Sequence, residues 1–169
     1  LYGKAGIGKS IVMHKLLEHL QRQEDYLVLG IKSDLVEFAN IADLQGKLYL
    51  ARPIEDVIRE EASNRKRVVL LIDQIDALSL SLSANRTPLR SLLSLIKSLA
   101  NIPRVRVVIS GRPDDLEFDP ELQNLKIKNQ WELKELSEEQ VLQTLRSNGH
   151  NESMDNRLIS FLGNPLHLY

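Results

Sequence analysis

Gly3, Lys4, Ala5, Gly6, Ile7, Gly8, Lys9 and Ser10 spell G-x-x-x-x-G-K-[ST], and no other stretch constrains the fold as tightly. The pattern asks for a strand that delivers a turn and a helix that leaves it. Its glycines let backbone N–H groups approach an anion without a Cβ in the way. The helix behind the turn presents its positive end to the same anion. In this arrangement Lys9 neutralises the β- and γ-phosphates of a nucleotide, and the Ser10 hydroxyl is a ligand for Mg²⁺. Only Leu1 and Tyr2 precede the octet. The delivering strand is therefore almost entirely missing, and the chain is expected to be a piece of a longer protein.

Apolar periodicity organises the rest. Met13, Leu16, Leu17 and Leu20 recur at i, i+3, i+4 and i+7, which predicts a helix from Lys9 or Ser10 to near Glu24. Tyr26–Ile31 predicts a short strand. Residues 33–53 are mixed and receive no assignment. Pro53 opens a predicted helix to about Lys66, with Ile54, Val57 and Ile58 inward. Val68–Asp73 is a continuous aliphatic run ending in an acid, the pattern of a strand buried on both faces. Residues 78–83 alternate Leu and Ser, which fits a strand in isolation or a loop before the next helix. That helix is predicted from about Thr87 to Ala100, followed by a strand over Val105–Ser110 and another short one within Leu125–Leu133. Ser137 and Gln140 form a capping box for a further helix with Val141, Leu142 and Leu145 inward. A last short helix near Asn156–Leu162 stops at Gly163. Strands alternating with helices predict an α/β fold with a mostly parallel sheet.

At 169 residues the chain suits one domain with a sizeable core. Its net charge of −1 offers no electrostatic case for nucleic acid or anionic membrane. The longest aliphatic run, Val68–Ile72, is too short to span a bilayer. With no cysteine, disulfides and thiolate metal sites are excluded, which is compatible with the cytosol. His14, His19, His150 and His167 show no metal-ligand spacing.

Two further segments carry chemistry. Asp73 ends an aliphatic strand 63 residues after Ser10, where phosphate-loop NTPases place the acid that holds Mg²⁺. The next residue is Gln74, which cannot act as a base. The following carboxylate, Asp76, is either the base or water-orienting group for hydrolysis or a cap on the turn after the strand. Arg112 follows the strand Val105–Ser110. Ligands of a parallel sheet bind beyond the carboxyl ends of its strands, so Arg112 points toward the phosphate region, where it could read the γ-phosphate. Alternatively it pairs on the surface with Asp114 or Asp115.

Taken in order, Gly3–Ser10, Asp73-Gln74-Ile75-Asp76, Ser110-Gly111-Arg112-Pro113 and Gly163-Asn164-Pro165-Leu166 make the chain resemble a STAND-class NTPase of the NACHT type. The resemblance covers essentially the whole chain. It implies a three-layer phosphate-loop core of the additional-strand (ASCE) type over residues 1–136 and the start of a small helical subdomain over 137–169. It implies that residues 3–10 bind the phosphates, that Ser10 and Asp73 hold Mg²⁺, and that Asp76 is the displaced catalytic acid. It further implies that Arg112 is the sensor arginine, that Lys9 serves both binding and catalysis, and that Pro165 lies against adenine. ATP and ADP are then the nucleotides. Such proteins are regulatory switches of signalling or defence, with effector and sensor domains outside this region and ATP-dependent homo-oligomers. Two positions depart from the family's pattern: Gln74 replaces a small residue, and Ala77 replaces a frequent acid. Both bear on hydrolysis more than on binding. An AAA+ remodeller would want an acid directly after Asp73, and a small-molecule kinase would want an acceptor pocket and a lid. A nucleotide-binding oligomerisation scaffold with little hydrolysis is compatible with both departures.

Overall fold

A computed structural model describes residues 1–64, 66–79, 85–150 and 154–167. Of the Leu/Ser alternation at 78–83, Leu78 ends a 3₁₀ turn, and residues 80–83 lie outside the described residues.

Helix α1 (Lys9–Gln21) leaves the octet directly and ends just before strand β1 (Tyr26–Lys32). Two helices follow, α2 (Ile41–Lys47) and α3 (Ile54–Ser63), then strand β2 (Arg67–Asp73). After a 3₁₀ turn over Ile75–Leu78 come α4 (Thr87–Leu99) and β3 (Val105–Ile109). Two short helices, α5 (Pro113–Phe118) and α6 (Pro120–Gln123), precede α7 (Glu138–Ser147) and α8 (Asn156–Leu162).

Among the described residues the sheet has three parallel strands in the order β1–β2–β3. Lys32 pairs with Asp73 and Ile72 with Ile109, so the three carboxyl ends finish level. Central strand β2 is buried from Val68 to Asp73, as its unbroken aliphatic run requires. Its alternate side chains serve two layers. Val68, Leu70 and Ile72 face α3 and α4, where Ile54, Ile58, Leu89, Leu92 and Leu99 complete the main core. Val69 and Leu71 face Met13 of α1, with Leu16, Leu17 and Leu20 beside them. Burying each of these aliphatic side chains contributes about 1.5–3 kcal/mol. The sheet thus lies between helices on both faces, the α/β arrangement that the periodicity predicts.

Beyond β3, Leu1 and Tyr2 extend the same sheet. Gly111 N–H donates to the Leu1 carbonyl (3.2 Å), Tyr2 N–H donates to the Trp131 carbonyl (2.9 Å), and Leu133 N–H donates to the Tyr2 carbonyl (2.7 Å). Tyr2 therefore bridges Gly111 on one side and Glu132 on the other, both in parallel sense. The strand expected within Leu125–Leu133 is corrected to this single bridge. Among the described residues Tyr2 is its bridge partner there. Pro53 stands one residue before α3 rather than inside it. The capping box of α7 is present as predicted, with Ser137 accepting from Gln140 N–H and the Gln140 side chain accepting from Ser137 N–H.

Candidate functional site

The site lies where the octet meets the carboxyl ends of β2 and β3. Gly6 and Gly8 adopt left-handed backbone, with φ of 76° and 89°. Other residues are strained there, so the loop's curl depends on these two positions. Gly8 caps α1, and the free N–H groups of the first helical turn face the space enclosed by the loop. Ala5, Gly6, Ile7, Gly8, Lys9, Ser10, Ile11, Gln74, Asp76 and Arg112 line one cleft of about 260 Å³.

Lys9 is buried, and its Nζ donates to the carbonyls of Gly3 (2.6 Å) and Lys4 (2.7 Å). The ammonium thus bridges its own loop. Burial pushes its pKa below the ordinary lysine value. The Asp76 carboxylate opposes this, the Arg112 charge adds to it, and Asp73 opposes it again. Lys4 points outward and pairs with Glu135 at 3.0 Å.

Asp73 ends β2 and accepts a short hydrogen bond from the Ser110 hydroxyl. Ser110 is fully buried. The same hydroxyl accepts from Gln74 N–H at 2.9 Å, while Ser110's own N–H donates to Ile72. Sequence reasoning gave Ser110 no role, because its place opposite Asp73 follows from the β2–β3 register. Gln74 has φ 55° and ψ 52°, left-handed values uncommon for a residue with a side chain. A glycine would accept them freely. The Gln74 Nε2 donates to Ser10 Oγ at 3.3 Å.

Asp76 lies in the 3₁₀ turn after β2 and is only 4% exposed. Its Oδ2 stands 3.4 Å from Arg112 Nε, while Oδ1 is buried without a hydrogen-bond partner among the described residues. Burial pushes its pKa above the usual carboxylate range. A hydrogen bond from its own backbone and the charges of Arg112 and Lys9 oppose that shift, and Asp115 adds to it. Arg112 follows β3, half exposed at the cleft, and its ion pair is with Asp76.

Gly163-Asn164-Pro165-Leu166 also reaches the loop. Asn164 Nδ2 donates to the Ala5 carbonyl at 3.2 Å, and its Oδ1 accepts from Leu166 N–H. The Leu166 side chain packs over Gly6. Pro165 is carried between these two contacts and does not line the phosphate cleft. Asn164, like Ser110, had been given no role from the sequence.

The structure therefore brings Lys9, Ser10, Asp76 and Arg112 into one cleft. Ser10 and Asp73 share the adjoining one, which runs between α1 and β1. A hydroxyl and a carboxylate are hard oxygen donors of the kind Mg²⁺ takes when phosphates and water complete its shell. No cluster of three or more His, Asp or Glu side chains suited to a metal ion occurs among the described residues, so a cage built wholly from side chains is not what this site offers. The donor set and the orphaned Asp76 oxygen fit a Mg²⁺–nucleotide.

Comparison with known proteins agrees with this fold. Among solved structures sharing the fold is a chain of the E. coli MS115-1 HORMA:CdnC:Trip13 complex, at 20% identity and a TM-score of 0.62. The alignment covers 96% of this chain and 56% of that one, so this chain spans little more than half of its length. No curated protein matches the sequence. The family model of the NACHT domain matches residues 1–152. The chain belongs to the NACHT domain family, whose members are phosphate-loop, nucleotide-binding NTPases.

Proposed function

We propose that this chain is the ATP-binding, slowly hydrolysing switch unit of a larger signalling or defence protein. One observation carries the reading: the loop of residues 5–11 shares a single cleft with Lys9, Ser10, Gln74, Asp76 and Arg112. The loop's N–H groups and the α1 terminus hold the phosphates. Lys9 exchanges its two carbonyl partners for β- and γ-phosphate oxygens. Ser10 and Asp73 hold Mg²⁺, with Asp73 oriented by the Ser110 hydroxyl. When bound, the ion offsets charge on the β- and γ-phosphates. Asp76 takes the proton of the attacking water or orients it, and Arg112 reads the γ-phosphate from beside it. A raised pKa makes Asp76 a better proton acceptor than an ordinary aspartate.

Residues 137–169 begin a helical subdomain on this reading. Asn164 and Leu166 hold it against the loop, which brings Pro165 toward the adenine. Adenine as the base, effector and sensor domains, ATP-dependent homo-oligomers and a cytoplasmic setting all follow from the family resemblance. A second reading, an oligomerisation scaffold with little hydrolysis, draws on the Asp76–Arg112 pair and on Gln74, since both restrain the groups that hydrolysis needs.

Single-turnover release of phosphate from ATP tests the switch reading. Asp76→Asn should slow release about 100-fold or more while nucleotide affinity stays within about twofold of the parent. Equal rates in variant and parent would remove Asp76 from the reaction.

A further inference from the structure

Gln74 follows directly on Asp73, and its side chain has a specific occupation. Its Nε2 is bonded to Ser10 Oγ, the hydroxyl that the proposed function assigns to Mg²⁺. The backbone that aims it there is left-handed, and its N–H is fixed by the Ser110 hydroxyl, which also bonds Asp73. One residue thus joins both proposed metal donors, Ser10 through its side chain and Asp73 through Ser110. We propose that Gln74 is a built-in stopper of the Mg²⁺ site, whose hydrogen bond to Ser10 competes with the cation for that oxygen.

This inference rests on the nucleotide-binding reading and adds a regulation to it. The Ser10 oxygen has two lone pairs, one of which accepts from the Gln74 amide, and a cation on the other repels the positive hydrogens of that amide. Binding of Mg²⁺–nucleotide therefore weakens or breaks that hydrogen bond, whereas binding of metal-free nucleotide does not. A neutral hydrogen bond of ordinary net strength corresponds to about 2- to 10-fold in affinity. Gln74 is a positioning residue in this account, since it acts through Ser10 rather than on the phosphates.

Calorimetric titration of ADP in Mg²⁺ and in EDTA measures the effect as a ratio of the two dissociation constants. Gln74→Ala and Gln74→Gly should each enlarge the Mg²⁺ advantage, read as the ratio of the two dissociation constants, about 2- to 10-fold. In a Ser10→Ala background the same substitutions should leave the ratio unchanged, because the bond they remove is already gone. Thermal midpoints supply a check on the backbone, with the Gly variant above the Ala variant because glycine tolerates φ 55°. A ratio equal to the parent's in both variants would overturn the stopper while parental binding keeps the nucleotide reading intact. Absence of ADP binding by the folded parent would overturn both.

Discussion

Asp76 keeps 4% of its surface exposed, and one of its oxygens has no partner among the described residues. Desolvation there exceeds what Arg112 and Lys9 return, so folding raises its pKa. The folded state then holds the proton more tightly than the unfolded state, and stability falls as pH rises from about 4 through the folded-state pKa. Asp76→Asn removes that loss. The variant should have a higher denaturation midpoint than the parent at pH 7, and the gap should close toward pH 4; a gap constant across that range would contradict the burial argument. Lys9 shows the opposite case, a cation whose folded pKa is lowered, so it favours folding more as pH rises toward its unfolded value. At this scale the motifs were legible where residue type alone decides the chemistry. Lys9, Ser10, Asp73, Asp76 and Arg112 could be singled out from order and spacing. Ser110 could not, because its hydroxyl meets Asp73 only through the pairing of Ile72 with Ile109. Arg112 pairs with Asp76 rather than with Asp114 or Asp115, since Asp76 comes close only when β2 and β3 lie side by side.

Elements with long apolar periodicity or unbroken aliphatic runs were the legible ones. The structure places α1, β1, β2, α4, β3, α7 and α8 within a few residues of their expected ends. Helices α2, α5 and α6 were not foreseen. Each is short and lacks a repeating apolar face; α2 and α6 lean on capping, with Asn40 accepting from Asp43 N–H at α2 and Asp119 from Glu121 and Leu122 N–H at α6, while α5 opens on Pro113. The strand expected within Leu125–Leu133 failed for another reason, since a strand is defined by its partner and the partner there is Tyr2 alone. These differences set the energetic ranking. Leu70 is fully buried in central β2, and Leu70→Ala should cost about 2–5 kcal/mol in urea unfolding. The exposed cap of α7 is worth less, and Ser137→Ala should cost about 1 kcal/mol. Equal costs would contradict a stability seated in the sheet.

Across the whole molecule, the phosphate loop is the place where distant parts of the chain converge. Residues after β2 and β3 line its cleft, Glu135 pairs with Lys4, and Asn164 bonds Ala5 from the far end of the sequence. The Lys4–Glu135 pair is exposed and contributes about 0–1 kcal/mol, so the Asn164 and Leu166 contacts decide how that segment sits on the loop. Among the described residues no helix is long and apolar enough to cross a membrane. The convergence supports the loop as the proposed nucleotide site, with Lys9 buried at its centre. Equilibrium titration of the parent and of Lys9→Ala with MgATP tests this most directly. The account predicts saturable binding by the parent and a loss of roughly 100-fold or more in the variant, as expected when a charged donor is removed from two phosphate oxygens. An unchanged affinity in a folded Lys9→Ala variant would contradict it.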